Sequence, residues 1–249
     1  MKYSALKIIA GLLLANNVAA VEPDWKDYAS VLGAVKQGEK HGTPLALVDY
    51  AALKKSGLVD KVYQQISAFP VQSLSGREEK LAFYINTYNI LALKTVVDHW
   101  PLDSIKDVGS LFSPVWGKEA GTIGGKTVSL DDIENKIIRP MGEPRIHLAI
   151  VCASVSCPDL RNEPYIASTL NKQLDAQANA FLRNDKKGLY IAKDEIVVSK
   201  IFKWFKQDFD KVGGVETFIR GYRPDLPASY PIDACKTKGS VSIENHKAQ

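Results

Sequence analysis

The chain has 249 residues and a formal net charge of +4, with 24% of its side chains charged and 9% aromatic. So near a balance of charge predicts no acidic partner, and no basic block with interleaved aromatics supports nucleic-acid binding. The length is ample for a hydrophobic core.

The first twenty residues have the pattern of a secretory signal. Lys2 and Lys7 give a positive start, residues 8–15 form a short apolar run, and Val18-Ala19-Ala20 is a small-residue cleavage pattern. The run is too short to span a bilayer, which takes roughly 20 apolar residues. No later stretch qualifies either. Cleavage after Ala20 predicts a soluble, exported, periplasmic protein without stable membrane insertion. Val21 follows the cut, with no cysteine for a lipid anchor. About 229 residues remain, which fits one domain with an N-terminal extension.

Residues 24–36 read as a helix on Trp25, Tyr28, Leu32 and Val35. A polar break at 38–44 and a short extended piece at 45–50 follow. A second helical pattern covers 51–69, interrupted near Gly57, and Pro70 ends it. Residues 21–70 thus form a helical extension packed on the core.

The strongest helical pattern runs over 75–100. Ser75 and Glu78 have capping-box spacing, Leu81, Tyr84, Tyr88, Leu91 and Thr95 line one face, and Pro101 stops it. So apolar a helix is expected at the centre of the fold. Asn86 and Asn89 lie three residues apart on it, hence on one side. Either they tie a neighbouring loop to the helix, or one of them orients a catalytic group or a substrate amide.

Residues 101–118 read as irregular, with Phe112 and Trp116 plugging the core. Gly124-Gly125 between short β-type pieces signals a hairpin. Ser129 then caps a helix to about Arg139, closed by Pro140. Glu134 lies in that helix, as a solvated glutamate or as a functional acid.

Over 145–152 the residues Ile146, Leu148, Ile150 and Cys152 alternate with His147, Ala149 and Val151, as on a strand. A small-residue turn precedes Cys157-Pro158. Pro158 suits a first helical position, which places Cys157 at a helix N-terminus, where a thiolate is favoured. The alternative is a half-cystine or a buried small side chain. Three cysteines, Cys152, Cys157 and Cys235, cannot all pair within one chain. The single bridges 152–157, 152–235 and 157–235 are all open.

An amphipathic helix at 165–182, two strands within 188–199, a short helix capped by Ser199 with Ile201, Phe202, Phe205 and Phe209 buried, and a final helix at 215–222 complete the pattern. Residues 226–249 read as a C-terminal tail. There is no internal repeat.

Four of these segments, LAFYINTYNILAL (81–93), SLDDIENKIIRP (129–140), PRIHLAIVCASVSCPDLR (144–161) and SKIFKWFKQDF (199–209), resemble in sequence and order the family catalogued as domain of unknown function 547. The resemblance covers roughly 80–210 and rests above all on the Cys-x4-Cys-Pro-x-Leu-Arg pattern. It implies a domain over 71–225 and candidate positions, more than a reaction. Two positions depart from the family: Tyr84 stands where Trp is common, and Ala153 where Gly is common. The second would reshape the turn if that turn needs a positive φ.

One catalytic constellation can be assembled from the residues. Cysteine attack needs a thiolate, a base and a group that orients the base. Of His41, His99, His147 and His246, only His147 stands beside the cysteine turn. Cys157 as nucleophile, His147 as base and Glu134 or Asn86 as orienter would follow the Cys–His–acid logic of papain-like and transglutaminase-like enzymes, by analogy. Arg161 would hold a substrate carboxylate or pair with Asp132 or Glu134. The expectation is an α+β fold, a mostly helical single domain with a small antiparallel sheet carrying His147. Its leading function is a thiol-dependent hydrolase or transferase acting on an amide or thioester bond of a peptide or small-molecule substrate. The competing reading is a non-catalytic envelope binding or structural protein with a 152–157 disulfide. No cofactor is implied, and the spacing of Cys152, Cys157 and His147 matches no common zinc pattern.

Overall fold

A computed structural model describes residues 22–40, 42–110, 113–153, 155 and 157–237. The expected signal segment, His41, Phe112, His246 and the chain beyond 237 lie outside them. Helix α1 (Lys26–Leu32) is followed by the hairpin of β1 (Val35–Lys40) and β2 (Thr43–Val48), so the polar break is a hairpin and the first helix is shorter than its spacing suggests. Gly57, at φ 66°, separates α2 (Tyr50–Ser56) from α3 (Leu58–Ala68).

Helix α4 (Arg77–Asp98) is the centre of the larger hydrophobic cluster. Its N-terminus is capped one residue later than the spacing predicts: Glu79, not Glu78, accepts from the backbone N–H groups of Ser75 and Gly76. Trp25, Tyr28, Val31 and Leu32 of the N-terminal segment and Val59, Val62 and Ile66 of α3 share that cluster with Leu81, Ile85 and Leu91. Burial at this density, roughly 25 cal/mol per Å² of apolar surface, is what holds α1 and α3 to the body.

The diglycine hairpin is present: β3 (Glu119–Ile123) and β4 (Lys126–Ser129) pair antiparallel, and Gly124 and Gly125 both take positive φ, as a two-residue hairpin turn requires. The next segment is a π-helix, Asp132–Ile138, opened by a reciprocal Ser129–Asp132 pair. Pro140 does not close it but sits inside a 3-10 turn, Arg139–Met141, which ends at Gly142 in the left-handed region. π-Helical turns widen the backbone and often mark functional positions; Glu134 lies within this one.

The strand expected at 145–152 is absent. Pro144–Leu148 is a 3-10 helix with proline in its first turn and Glu143 accepting from Arg145 N–H. Residues 146–151 are all buried, so alternation carried no information about which side faces the core. The helix expected at Cys157 is absent too. Pro164 disfavours helical backbone at Glu163, and the chain reaches α5 (Leu170–Arg183) only after a 3-10 turn, Ala167–Thr169.

A second cluster gathers Leu148, Phe181 and Leu182 with Phe202, Phe209 and Ile219. Around it lie β5 (Leu189–Ala192), β6 (Glu195–Val198), α6 (Lys200–Trp204), α7 (Lys206–Asp210) and α8 (Val215–Tyr222). Ser199 caps α6 as expected, accepting from Ile201 N–H. The segment after Arg223 is not only a loop, because β7 (Ile232–Thr237) runs parallel to β6 and makes a three-stranded sheet. The fold is α+β and mostly helical, with small sheets, as the sequence predicts. Among the described residues no helix is long and apolar enough to cross a membrane.

Candidate functional site

Asn86 and Asn89 are fully buried on α4, and both act as two-point clamps. Asn86 donates through Nδ2 to Tyr165 O at 2.8 Å and accepts from Tyr165 N at 2.9 Å. Asn89 donates to Ala149 O at 3.1 Å and accepts from Val151 N at 2.9 Å. Each amide satisfies backbone groups that secondary structure leaves unpaired, which a core element must do. They fix the 149–151 and 165 segments against the central helix.

Held there, Cys152 and Cys157 are joined in a disulfide, with Cα atoms 6.2 Å apart. Cys157 therefore has no thiolate in this state, and it does not begin a helix. Ala153, inside the bridged loop, has φ 49°. An alanine held in that left-handed region costs about 1–2 kcal/mol. On the far side, Asp159 Oδ1 accepts from Ala46 N at 2.9 Å and from Lys187 Nζ at 2.6 Å. Lys187 also donates to Cys157 O. Burial lowers the Lys187 pKa, while the adjacent Asp159 carboxylate opposes that shift.

His147 stands on the 3-10 helix and not on a sheet, with its side chain wholly enclosed. Its ring stacks on Phe205 at 3.7 Å between centroids. Nε2 lies 3.0 Å from Asp208 Oδ2, which also accepts from Arg139 Nε at 2.7 Å. Burial pushes the Asp208 carboxyl up, but hydrogen bonds from Arg139, Lys211 and His147 outweigh it and hold the group down at about 2. An ionised Asp208 places the imidazole proton on Nε2 and leaves Nδ1 as a lone pair.

That Nδ1 faces Glu134 Oε1 at 3.8 Å, and neither atom has a hydrogen-bond partner. Glu134 is not a solvated surface residue: its side chain is 13% exposed. Burial raises its carboxyl to about 7, against the pull of Arg139 and with help from Asp131 and Asp208. Burial lowers His147 to about 4, over the opposing effect of Asp208. The structure thus brings Glu134 and His147 together, but the orienting acid is Asp208, which the sequence reading missed. Its signal was an aspartate three residues after Phe205 and next to Phe209, on the apolar side of a short helix.

Neither hydrogen bond nor ring contact joins His147 to Cys157 among the described residues. Arg161 pairs with neither Asp132 nor Glu134; its Nη2 donates to Glu163. Among the described residues no group of three or more His, Cys, Asp or Glu side chains has the geometry to hold a metal ion.

The architecture is that of a mostly helical α+β protein with a disulfide-bridged loop clamped to its central helix. Residues 71–182 match the family described as Protein of unknown function, DUF547. The chain is similar to that family over this segment, which contains Asn86, Asn89, Glu134, His147 and both bridged cysteines. No curated protein and no solved structure matches it.

Proposed function

We propose that this is an exported, non-catalytic protein of the cell envelope that binds a partner, with residues 145–161 serving as a disulfide-stapled scaffold. The observation that carries the reading is the Cys152–Cys157 bridge, which occupies the sulfur that a thiol enzyme would need. Disulfides persist in oxidising compartments, in keeping with the basic, apolar and small-residue pattern of residues 1–20. Cleavage after Ala20 would keep Glu22, whose carboxylate accepts from Ala167 N–H. The roles of Asn86 and Asn89 as backbone clamps also support a scaffold.

The test is alkylation of the mature, natively purified protein with and without reductant, with labelled cysteines mapped by mass spectrometry. The reading expects Cys152 and Cys157 to remain unlabelled and linked until reduction. Rapid labelling of Cys157 without reductant, at a pH well below the ordinary thiol value of about 8.5, would overturn it.

One observation favours the thiol-dependent hydrolase or transferase as a second reading. His147 has one nitrogen held by Asp208 and the other unpartnered, the arrangement of an oriented base. That reading requires reduction to free Cys157 and then loss of Cys157 reactivity in His147→Ala.

A further inference from the structure

An open groove of about 370 Å³ is lined by Arg161, Glu163, Pro164, Ile166, Thr169, Lys172 and Gln173. The Arg161 side chain in that lining is four-fifths enclosed. The guanidinium lies over the Tyr165 ring, 5.9 Å from its centroid, and Nη1 reaches Gln173 O at 3.5 Å. Nη2 donates to one oxygen of Glu163, and Gln173 Nε2 donates to the same oxygen at 3.2 Å.

That pairing is one-sided. Arg161 Nε is buried and has no partner, although a carboxylate normally engages an arginine through two parallel N–H bonds. Glu163 comes from only two residues along the chain, and its side chain is 52% exposed. Its half-exposed carboxylate can swing into water when another carboxylate takes its place. Lys172 adds a second positive charge on the rim, beside the apolar edge of Pro164 and Ile166.

We infer that this groove binds the carboxylate of a ligand, taken by the Nε and Nη2 edge of Arg161 with Lys172 alongside, and that Glu163 is a tethered stand-in which the ligand displaces. An incoming carboxylate satisfies the orphaned Nε–H that Glu163 leaves unmet. Glu163, released, remains solvated at the rim. The inference rests on the binding reading above and names the chemistry that reading leaves open.

The experiment is a titration of the mature full chain followed through the Arg161 Nε–H resonance in ¹⁵N-correlated NMR spectra. The probes are acetate, the tripeptide Ala-Ala-Ala with a free C-terminal carboxylate, the same tripeptide amidated, and inorganic phosphate. The free-acid tripeptide should shift the resonance saturably and the amide should not. Glu163→Gln should tighten binding roughly two- to fivefold, the range set by losing a surface ion pair, and Arg161→Gln should abolish it. Tighter binding of the tripeptide than of acetate assigns the site to a peptide terminus, and equal binding assigns it to a small free acid. Equal response to acid and amide, binding of phosphate as strong as that of the carboxylates, no response to any probe, or unchanged affinity in Glu163→Gln would each overturn the inference. Should Arg161→Gln fail to fold, the half-exposed Glu163→Gln still decides. If the titration fails while the cysteines stay bridged, the groove assignment falls and the scaffold reading stands. If Cys157 proves free and reactive while the tripeptide binds, the reverse holds.

Discussion

Replacing Glu134 by Gln should unmask a pH dependence of stability that the native pair cancels. In the folded protein Glu134 titrates at about 7 and His147 at about 4. Their ordinary values are 4.5 and 6.5. A raised carboxyl contributes stability that is complete below pH 4.5 and is lost as pH rises toward 7. A lowered imidazole contributes stability that is complete above pH 6.5 and is lost as pH falls toward 4. Each leg is worth about 3 kcal/mol at 1.36 kcal/mol per unit, and both side chains are too enclosed for solvent to discount it much. Between pH 4.5 and 6.5 the folded pair holds one proton on Glu134 and the unfolded pair holds one on His147, so the slopes oppose and the pair contributes almost nothing to the profile. Glu134→Gln removes one leg, and its stability relative to wild type should then rise by about 3 kcal/mol from pH 4.5 to 6.5. His147→Gln removes the other, and its relative stability should fall by a similar amount over the same interval. Urea unfolding followed by far-ultraviolet circular dichroism at three pH values, with the disulfide intact, measures both. A Glu134→Gln curve that follows wild type at a constant offset would mean that Glu134 is ionised in the fold, and the argument from burial would be wrong.

Three other predictions concern the clamps and the bridged loop. Asn86→Ala leaves the buried Tyr165 N–H and C=O unpaired and should cost roughly 2–4 kcal/mol, read as a lowered urea midpoint. Ala153→Gly removes the penalty of a left-handed alanine at φ 49° and should stabilise the protein by up to about 1 kcal/mol, read as a higher Tm. Reducing the Cys152–Cys157 bridge, which closes a very short loop, should cost about 2 kcal/mol; an unchanged Tm with reductant would show the bridge to be irrelevant to stability.

Helix α4 was legible because its apolar face repeats over six turns and Pro101 ends it, and the β3–β4 hairpin because two glycines admit few other turns. The 145–161 stretch was not legible, for a definite reason. Alternation distinguishes strand from helix only when one side is wet, and here both sides are buried. Its shape is set instead by Pro144, Pro164 and the two asparagine clamps, whose partners lie 60 to 79 residues away. The bridge was one of three pairings that counting cysteines allowed, and only spatial proximity selects it. The sequence offers Glu134 as one possible orienter of His147, and the two lie 3.8 Å apart, whereas Asp208 is hidden because an acid in a lysine-rich helix reads as its solvated face.

The segment that matches the family is shorter than the set of residues that packs around it. Residues 71–182 contain His147 and Glu134 but end before Phe205, on which the imidazole stacks, and before Asp208, which holds its proton. They also begin after Trp25 and Tyr28, which pack in the same cluster as α4. A fragment cut at those limits would enclose an imidazole with no acceptor and strip one flank of its central helix. A piece of this chain that keeps the imidazole's partners and the flank of its central helix therefore includes at least Trp25 through Asp208.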